Sequence, residues 1–267
     1  MRCLLYSWNV EDYCNNSIYQ KKWALDFINS KIRFKGNERV LDIGCGDGSI
    51  SAIISSKLSN GSLLCIDSSK EMISYAHNRF LRKEYSNLFF QIGDARHLNF
   101  YNEFDIVVSF ACFHWISDQV SLLKTVKRSM KPQGKLFIQI GGMGNESDLI
   151  NTANKVIKTI KWVKYFNNFS YKWGFFSDNE YIAFLKKAGL KINNVELVPK
   201  KMVYKNKEGL KSWIRTTWQP YLERVPDNLQ SQFINDVASN YVAKFPNDID
   251  DSIIIKMSRL EVSAEKS

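Results

Sequence analysis

Through the first 150 residues, short β-branched and aromatic runs alternate with stretches whose apolar residues recur every three or four positions. The runs 39–43, 62–66, 88–92, 104–109 and 135–140 read as strands, with helical patterns between them. That rhythm predicts a parallel sheet covered on both faces. Ile73, Ala76, His77 and Phe80 follow helical spacing behind Ser68-Ser69-Lys70-Glu71, which reads as a capping box opening a helix over 70–82. A further helix is expected from a cap at Ser117, burying Val120, Leu123, Val126 and Met130 and stopped by Pro132 and Gly134.

Beyond Ile140 the rhythm changes. Gly141-Gly142-Met143-Gly144 reads as a loop, and eight aromatic residues crowd the basic stretch from Trp162 to Phe176, where they are expected to form a local core. A helix over 178–188 stopped by Gly189 leads to strands at 192–198 and 201–204. Helices over 207–218 and 226–245 and a last strand over 252–262 complete the pattern.

Composition narrows the class. Of the 267 residues, 45% are hydrophobic and 24% charged, which is globular and neither disordered nor fibrous. No run approaches 18 apolar residues, and the opening MRCLLYSWN holds too short an apolar run for a secretion signal, so a soluble, cytoplasmic protein is expected. Five scattered cysteines without a C-x-x-C pair and three distant histidines give no basis for a disulfide framework or a metal site.

The net charge is +10, and 14 Lys or Arg against four acids between Asn151 and Arg215 account for all of it. Such a stretch is either a solvated surface or a field that gathers an anionic small molecule. Nucleic acid is not the expected partner, because no recognition motif accompanies the charge. Nothing in the sequence fixes the oligomeric state, with a monomer favoured.

Candidate chemistry lies at successive strand ends. The first strand runs into Asp42-Ile43-Gly44-Cys45-Gly46-Asp47-Gly48, where glycines permit a sharp turn and close approach of a ligand to the main chain. The second ends at Asp67, placed to accept the hydroxyls of a ribose, and the third at Gly93-Asp94-Ala95, where an acid and amides can meet an adenine edge. A dinucleotide fold would carry G-x-G-x-x-G/A, but here the third glycine comes early and position 49 is Ser. Asp42 would repel a pyrophosphate and suits a sulfonium or ammonium. An adenosyl ligand with a cationic end fits better than NAD.

These residues resemble the class I S-adenosylmethionine-dependent methyltransferases. Trp8-Asn9 through Tyr13, Tyr19-Gln20-Lys21-Lys22 with Ala24-Leu25, Ser109-Phe110 to His114-Trp115-Ile116, and Trp213-Ile214-Arg215 are similar to the trans-aconitate and juvenile hormone acid methyltransferase group. The resemblance implies a Rossmann-like α/β fold, a seven-stranded, mostly parallel sheet with antiparallel final strands and a helical cap. It divides the chain into an N-terminal lid segment (1–30), a cofactor-binding core (31–145) and basic, aromatic cap helices inserted among the last strands (146–267).

The resemblance also implies roles. Asp42 lies near the cofactor, Gly44, Cys45 and Gly46 meet its methionine end, and Asp67 and Ser68 hold its ribose. Met72 packs on the adenine, Asp94 and Ala95 meet its amino edge, and Phe110 lies under the sulfonium. Gln20, His114 and Trp115 face the acceptor as the catalytic group, with Trp8, Tyr19, Arg215 and Trp218 as substrate contacts. Methyl transfer is an in-line displacement, so catalysis rests on alignment and exclusion of water. A carboxylate acceptor, with a pKa of about 4, is ionised at neutral pH and needs no base. A phenol or amine would need one, and His114 is the candidate. Carboxyl O-methylation of a small molecule is the leading expectation; N-, C- or phenolic O-methylation, or cofactor binding without turnover, are the alternatives.

Overall fold

The computed structural model describes residues 10–246 and 252–267. In chain order its elements are α1 (Val10–Asn16), α2 (Ile18–Lys31), β1 (Arg39–Ile43), α3 (Ser49–Ser55), β2 (Ser62–Asp67), α4 (Lys70–Arg79) and β3 (Leu88–Ile92). There follow β4 (Phe104–Phe110), α5 (Gln119–Ser129), β5 (Met130–Gly141), α6 (Ser147–Val156) and α7 (Asp178–Ala188). The chain closes with β6 (Lys191–Tyr204), α8 (Lys207–Thr217), α9 (Gln219–Leu222), α10 (Asp227–Lys244) and β7 (Ile253–Glu265).

The seven strands form one sheet in the order β3-β2-β1-β4-β5-β7-β6. β1 to β5 pair in parallel, and β7 is antiparallel to β5, with Gly141 opposite Arg259. This is the expected Rossmann-like architecture. Side chains alternate between two cores: Val40, Ile106, Val108 and Phe137 pack with α2 and α3, while Leu41, Val107, Leu136 and Ile138 pack with α5 and α7. A parallel sheet buried on both faces accounts for near-continuous apolar strands.

The chain divides into two compact units. The first holds residues 1–143, 174–198 and 259–267, and the second holds 144–173 and 199–258. The break expected near 145 is therefore only part of the division, because α7 and most of β6 belong with the first unit. In the second unit α10 packs on α6 and α8. Its centre is aromatic, with Trp162 5.2 Å from Phe233, and Phe166 5.4 Å from the same ring. Glu146 is buried there and accepts the indole N–H groups of Trp213 (2.9 Å) and Trp218 (3.3 Å).

Some boundaries move for local reasons. Ser69, rather than Ser68, caps α4 by accepting the Met72 N–H at 3.2 Å, and Glu71 takes the Ser69 hydroxyl at 2.9 Å, so no capping box forms. Asp118 replaces Ser117 as the cap of α5, accepting the Ser121 N–H at 3.0 Å. Leu122, not Val120, faces the core beside Leu123 and Val126. Met130 leaves the helix to pair with Phe104, and a register shift before Ile106 and Lys135 absorbs the segment carrying Pro132 and Gly134. α7 has the full box between Ser177 and Glu180 and ends at Gly189 in the left-handed conformation, as its sequence indicates.

Candidate active site

The turn after β1 is built on three glycines with positive φ, +77° at Gly44, +53° at Gly46 and +73° at Gly48. At Gly44 a Cβ would lie 2.3 Å from Cys112 Sγ, so both conformation and space demand glycine. Main-chain bonds lock the turn to β2: the Gly44 and Cys45 N–H groups donate to Ile66 O at 2.8 and 3.1 Å. Asp67 then braces two turns at once, accepting Gly46 N–H on Oδ2 and Ser69 N–H on Oδ1, each at 2.9 Å.

Three acids gather at this loop. Burial raises the Asp67 carboxyl despite the amide donors that favour its charge. Asp42, 2% exposed, accepts the Ser51 hydroxyl at 2.6 Å, and burial lifts its pKa to about 7 against that hydrogen bond. Asp47 is buried as well, yet Ser49 and Lys21 hold its pKa below the usual range. Its Oδ2 takes Ser49 Oγ at 2.6 Å, Lys21 Nζ at 2.9 Å and Cys14 Sγ at 3.2 Å, which ties α1 and α2 to the loop.

A pocket opens where β1, β4 and β5 end. Asp42, Gly44, Cys45 and Asp47 line its loop side, Phe110, Ala111 and Gln139 its floor, and Tyr13, Gln20 and Lys21 the side of α1 and α2. Arg259, from β7, also lines it; this residue is 4% exposed, with its guanidinium 4.7 Å from the centre of the Trp23 ring. Gln20 is 8% exposed, and its buried Oε1 accepts no hydrogen bond among the described residues. Burial raises the Tyr13 phenol, as do the charges of Asp47 and Asp67, while Arg259 pulls the other way. Tyr13 thus feels an acidic side and a basic side.

His114 occupies a single 3-10 turn, Phe113–Trp115, after β4. The Gly174 N–H donates to His114 O at 3.2 Å, and the imidazole lies 5.4 Å from the Trp115 ring and 5.7 Å from Phe175. Its Nδ1 is buried with no hydrogen-bond partner among the described residues. Burial, then the Arg259 charge, pushes its pKa down to about 3. The imidazole is neutral at physiological pH and a poor proton acceptor.

The family pattern described as a methyltransferase domain matches residues 34–189. The chain belongs to the methyltransferase-domain family. A methyltransferase-named protein of Invertebrate iridescent virus 6, 235L, is 28% identical to it over 234 residues, which cover 88% of this chain and 85% of the viral one. Juvenile hormone acid O-methyltransferase of Bombyx mori is 25% identical over 272 residues, 96% of this chain and 95% of the relative. Phosphoethanolamine N-methyltransferase 2 of Haemonchus contortus, solved with phosphomonomethylethanolamine and S-adenosylhomocysteine, shares the fold at a TM-score of 0.60 and 21% identity, covering 96% of this chain and 56% of that one. The family match and these relatives make this a methyltransferase.

In this methyltransferase the structure brings Gln20, Asp42, Gly44, Cys45 and Phe110 into one pocket. Gly46 and Asp67 meet beside it, and Ser68 is exposed at the turn that follows. Met72 is buried in the first turn of α4, and Ala95 opens the short turn after β3. Asp94 does not offer a free carboxylate to an adenine edge, because both oxygens pair with the Arg96 guanidinium, which holds its pKa down to about 2. Neither His114 nor Trp115 lines the pocket itself. Tyr19 packs on Trp23 at 5.7 Å. Trp8 lies outside the described residues.

The second unit changes the substrate assignments. Trp218 is 0% exposed and donates its indole N–H to Glu146, so it is a core residue of that unit rather than a wall for an acceptor. Arg215 is on the exposed side of α8, near Ser212 Oγ at 3.4 Å. The pocket residues not singled out from sequence are Tyr13, Lys21, Asp47, Ile50, Ala111, Gln139 and Arg259. Asp47 was visible inside the glycine motif. Arg259 had no local signal, since pairing across the sheet brings it opposite Gly141. Among the described residues no three acids, histidines or cysteines are placed to hold a metal ion, and no helix is long and apolar enough to cross a membrane.

Proposed function

We propose that this methyltransferase transfers the methyl group of S-adenosylmethionine to the carboxylate oxygen of a small molecule. The observation that carries the proposal is that the pocket is lined by the buried cation Arg259, while burial makes the His114 imidazole a poor base, which favours an acceptor that arrives ionised. The names of relatives that act on juvenile hormone acid and trans-aconitate support the same acceptor chemistry.

The residues fit the cofactor. Asp42 and Asp47 put carboxyl groups on the loop side of the pocket for its cationic end, next to glycines that let the main chain come close. Gly44, Cys45 and Gly46 meet the methionine end, Asp67 and Ser68 the ribose, Met72 and Ala95 the adenine, and Phe110 the sulfonium. A carboxylate has lone pairs enough for two amides and a ribose hydroxyl together, so Asp67 can brace the loop and bind at once. When bound, the cofactor supplies an electrophilic methyl on a positively charged sulfur. The protein's part is to align Gln20, Trp115 and the acceptor and to keep water out.

Incubation with labelled S-adenosylmethionine and a panel of small acids, phenols and amines tests this. The expected product is an alkali-labile methyl ester seen by mass spectrometry; a methyl on nitrogen, carbon or a phenolic oxygen would overturn the reading.

A further inference from the structure

We infer that the second unit carries a surface that docks on an anionic phospholipid bilayer, built on the turn that follows α6. The inference goes beyond methyl transfer and does not depend on which acceptor is methylated. From Lys155 to Lys164 the chain reads Lys-Val-Ile-Lys-Thr-Ile-Lys-Trp-Val-Lys, four lysines in ten residues with no acid among them.

Local structure sets which of these side chains face outward. The Thr159 carbonyl accepts the N–H groups of Trp162 (3.0 Å) and Val163 (2.9 Å), which winds residues 159–163 into a helical turn. Positions three and four apart on such a turn share a side, so Ile160, Val163 and Lys164 fall together. Trp162 points the other way: it is 1% exposed, packs on Phe233 and donates its indole N–H to Asp236 at 2.9 Å. That anchor fixes the turn while its aliphatic side chains stand in water, Ile160 96% exposed and Val163 46%. Lys155, Lys158, Lys161 and Lys164 are all exposed, and among the described residues only Lys161 is in an ion pair, with Asp236 at 2.6 Å. Four lysines against that one acid leave a local charge of +3.

Isolated exposed aliphatic residues are ordinary on a protein surface, but here two share one anchored turn and lysines flank them. Aliphatic side chains gain by entering the acyl boundary of a bilayer, and ammonium groups gain by staying with anionic headgroups. The turn offers both at once. Nucleic acid would also suit the charge, but its grip relies on aromatic stacking and on arginine. The stretch 151–173 contains no arginine, and its Trp162 and Phe166 are buried. Two aliphatic side chains reach only the headgroup boundary, so the contact is peripheral and reversible.

Co-sedimentation of the full chain with vesicles tests this, comparing phosphatidylcholine containing phosphatidylserine with phosphatidylcholine alone. Binding to the anionic vesicles should be about tenfold or more tighter at about 0.1 M salt and should fall severalfold at about 0.5 M. Ile160→Ser with Val163→Ser should weaken it about tenfold, and so should Lys158→Gln with Lys164→Gln. Lys124→Gln with Lys187→Gln removes the same charge from exposed positions on α5 and α7 of the first unit and should change binding less than about threefold. All six side chains are exposed, so each variant should keep the wild-type melting temperature.

No binding to either vesicle, equal binding to both, or unchanged binding in the Ile160→Ser and Val163→Ser variant overturns the inference. So does an equal loss in the Lys124→Gln and Lys187→Gln variant, which would make the charge of the whole protein the cause. Binding to a single-stranded RNA oligonucleotide that weakens in the Lys158→Gln and Lys164→Gln variant, with no vesicle binding, would assign the surface to nucleic acid and overturn it as well.

Discussion

At the glycine-loop end of the pocket, Asp42, Asp47 and Asp67 each take donors from the protein: Ser51, Ser49 and Lys21, and the amides of Gly46 and Ser69. Elsewhere, Gln20 Oε1 and His114 Nδ1 are buried polar atoms with no hydrogen-bond partner among the described residues. A loop that satisfies itself is built before its ligand arrives, whereas polar atoms buried without partners are stable only if a guest completes them. Under the proposed function, the contrast separates a preorganised cofactor end from an acceptor end that its substrate completes.

The largest expected effect comes from breaking the self-braced end at Gly44. Gly44→Ala places a Cβ 2.3 Å from Cys112 Sγ at a φ of +77°. We expect a loss of about 3 kcal/mol or more in unfolding free energy and no detectable S-adenosylhomocysteine binding, read by denaturant titration and calorimetry. Adding Cys112→Gly should recover part of the stability by removing the clash, leaving the cost of positive φ. Full tolerance of Gly44→Ala would show that the loop is not fixed as described.

Asp67→Ala removes the acceptor for two loop amides and the proposed ribose contact. Cofactor affinity should fall by about 1.5 to 3 kcal/mol in calorimetry. A fall in stability without a fall in affinity would reduce Asp67 to a structural brace.

Asp42 offers a finer test through pH. Its folded pKa is raised to about 7, and an unfolded Asp titrates near about 4, so the folded state binds more protons between those values. Its burial therefore costs stability progressively as pH rises from about 4 to 7, and the full cost applies above that. Asp42→Asn should raise the denaturation midpoint at pH 8, have little effect at pH 4, and weaken cofactor binding. An equal effect at both pH values would mean that the carboxyl is not buried in its charged form.

Much of the glycine-loop end is legible because it is local. Gly44, Gly46 and Gly48 sit within one turn, and Asp67 follows at the end of the adjoining strand. The box and glycine stop of α7 are local too, and they appear where the sequence places them. What failed depends on partners that the motifs do not show. Asp94 reads as available in the sequence, but Arg96 takes both its oxygens, and Trp218 reads as a pocket aromatic although Glu146 holds it in the core of the second unit. Met130 has helical spacing with α5, but pairing with Phe104 draws it into β5. Arg259 is invisible in sequence because only the antiparallel return of β7 makes it part of the site.

The smallest expected effect concerns charge. The basic excess of the stretch 151–215 lies wholly in its portions 151–173 and 199–215, both in the second unit, since 174–198 is neutral. If this field gathers an acidic acceptor, kcat/KM should fall severalfold between about 0.01 and 0.15 M salt, as the screening length shrinks from roughly 30 to 8 Å. A neutral acceptor analogue should show no such fall, and equal behaviour of both would assign the lysines to solubility.

The most direct test of the central claim is the pH profile of single-turnover methyl transfer to an acid that the enzyme esterifies, in wild type and in His114→Asn. With a pre-ionised acceptor and a histidine held neutral, both profiles should be flat above the titration of Asp42, from about pH 8 to 9, with the variant's rate only modestly lower. A rate that climbs with pH in the wild type and loses that slope in His114→Asn would show His114 acting as a base, and would contradict the account.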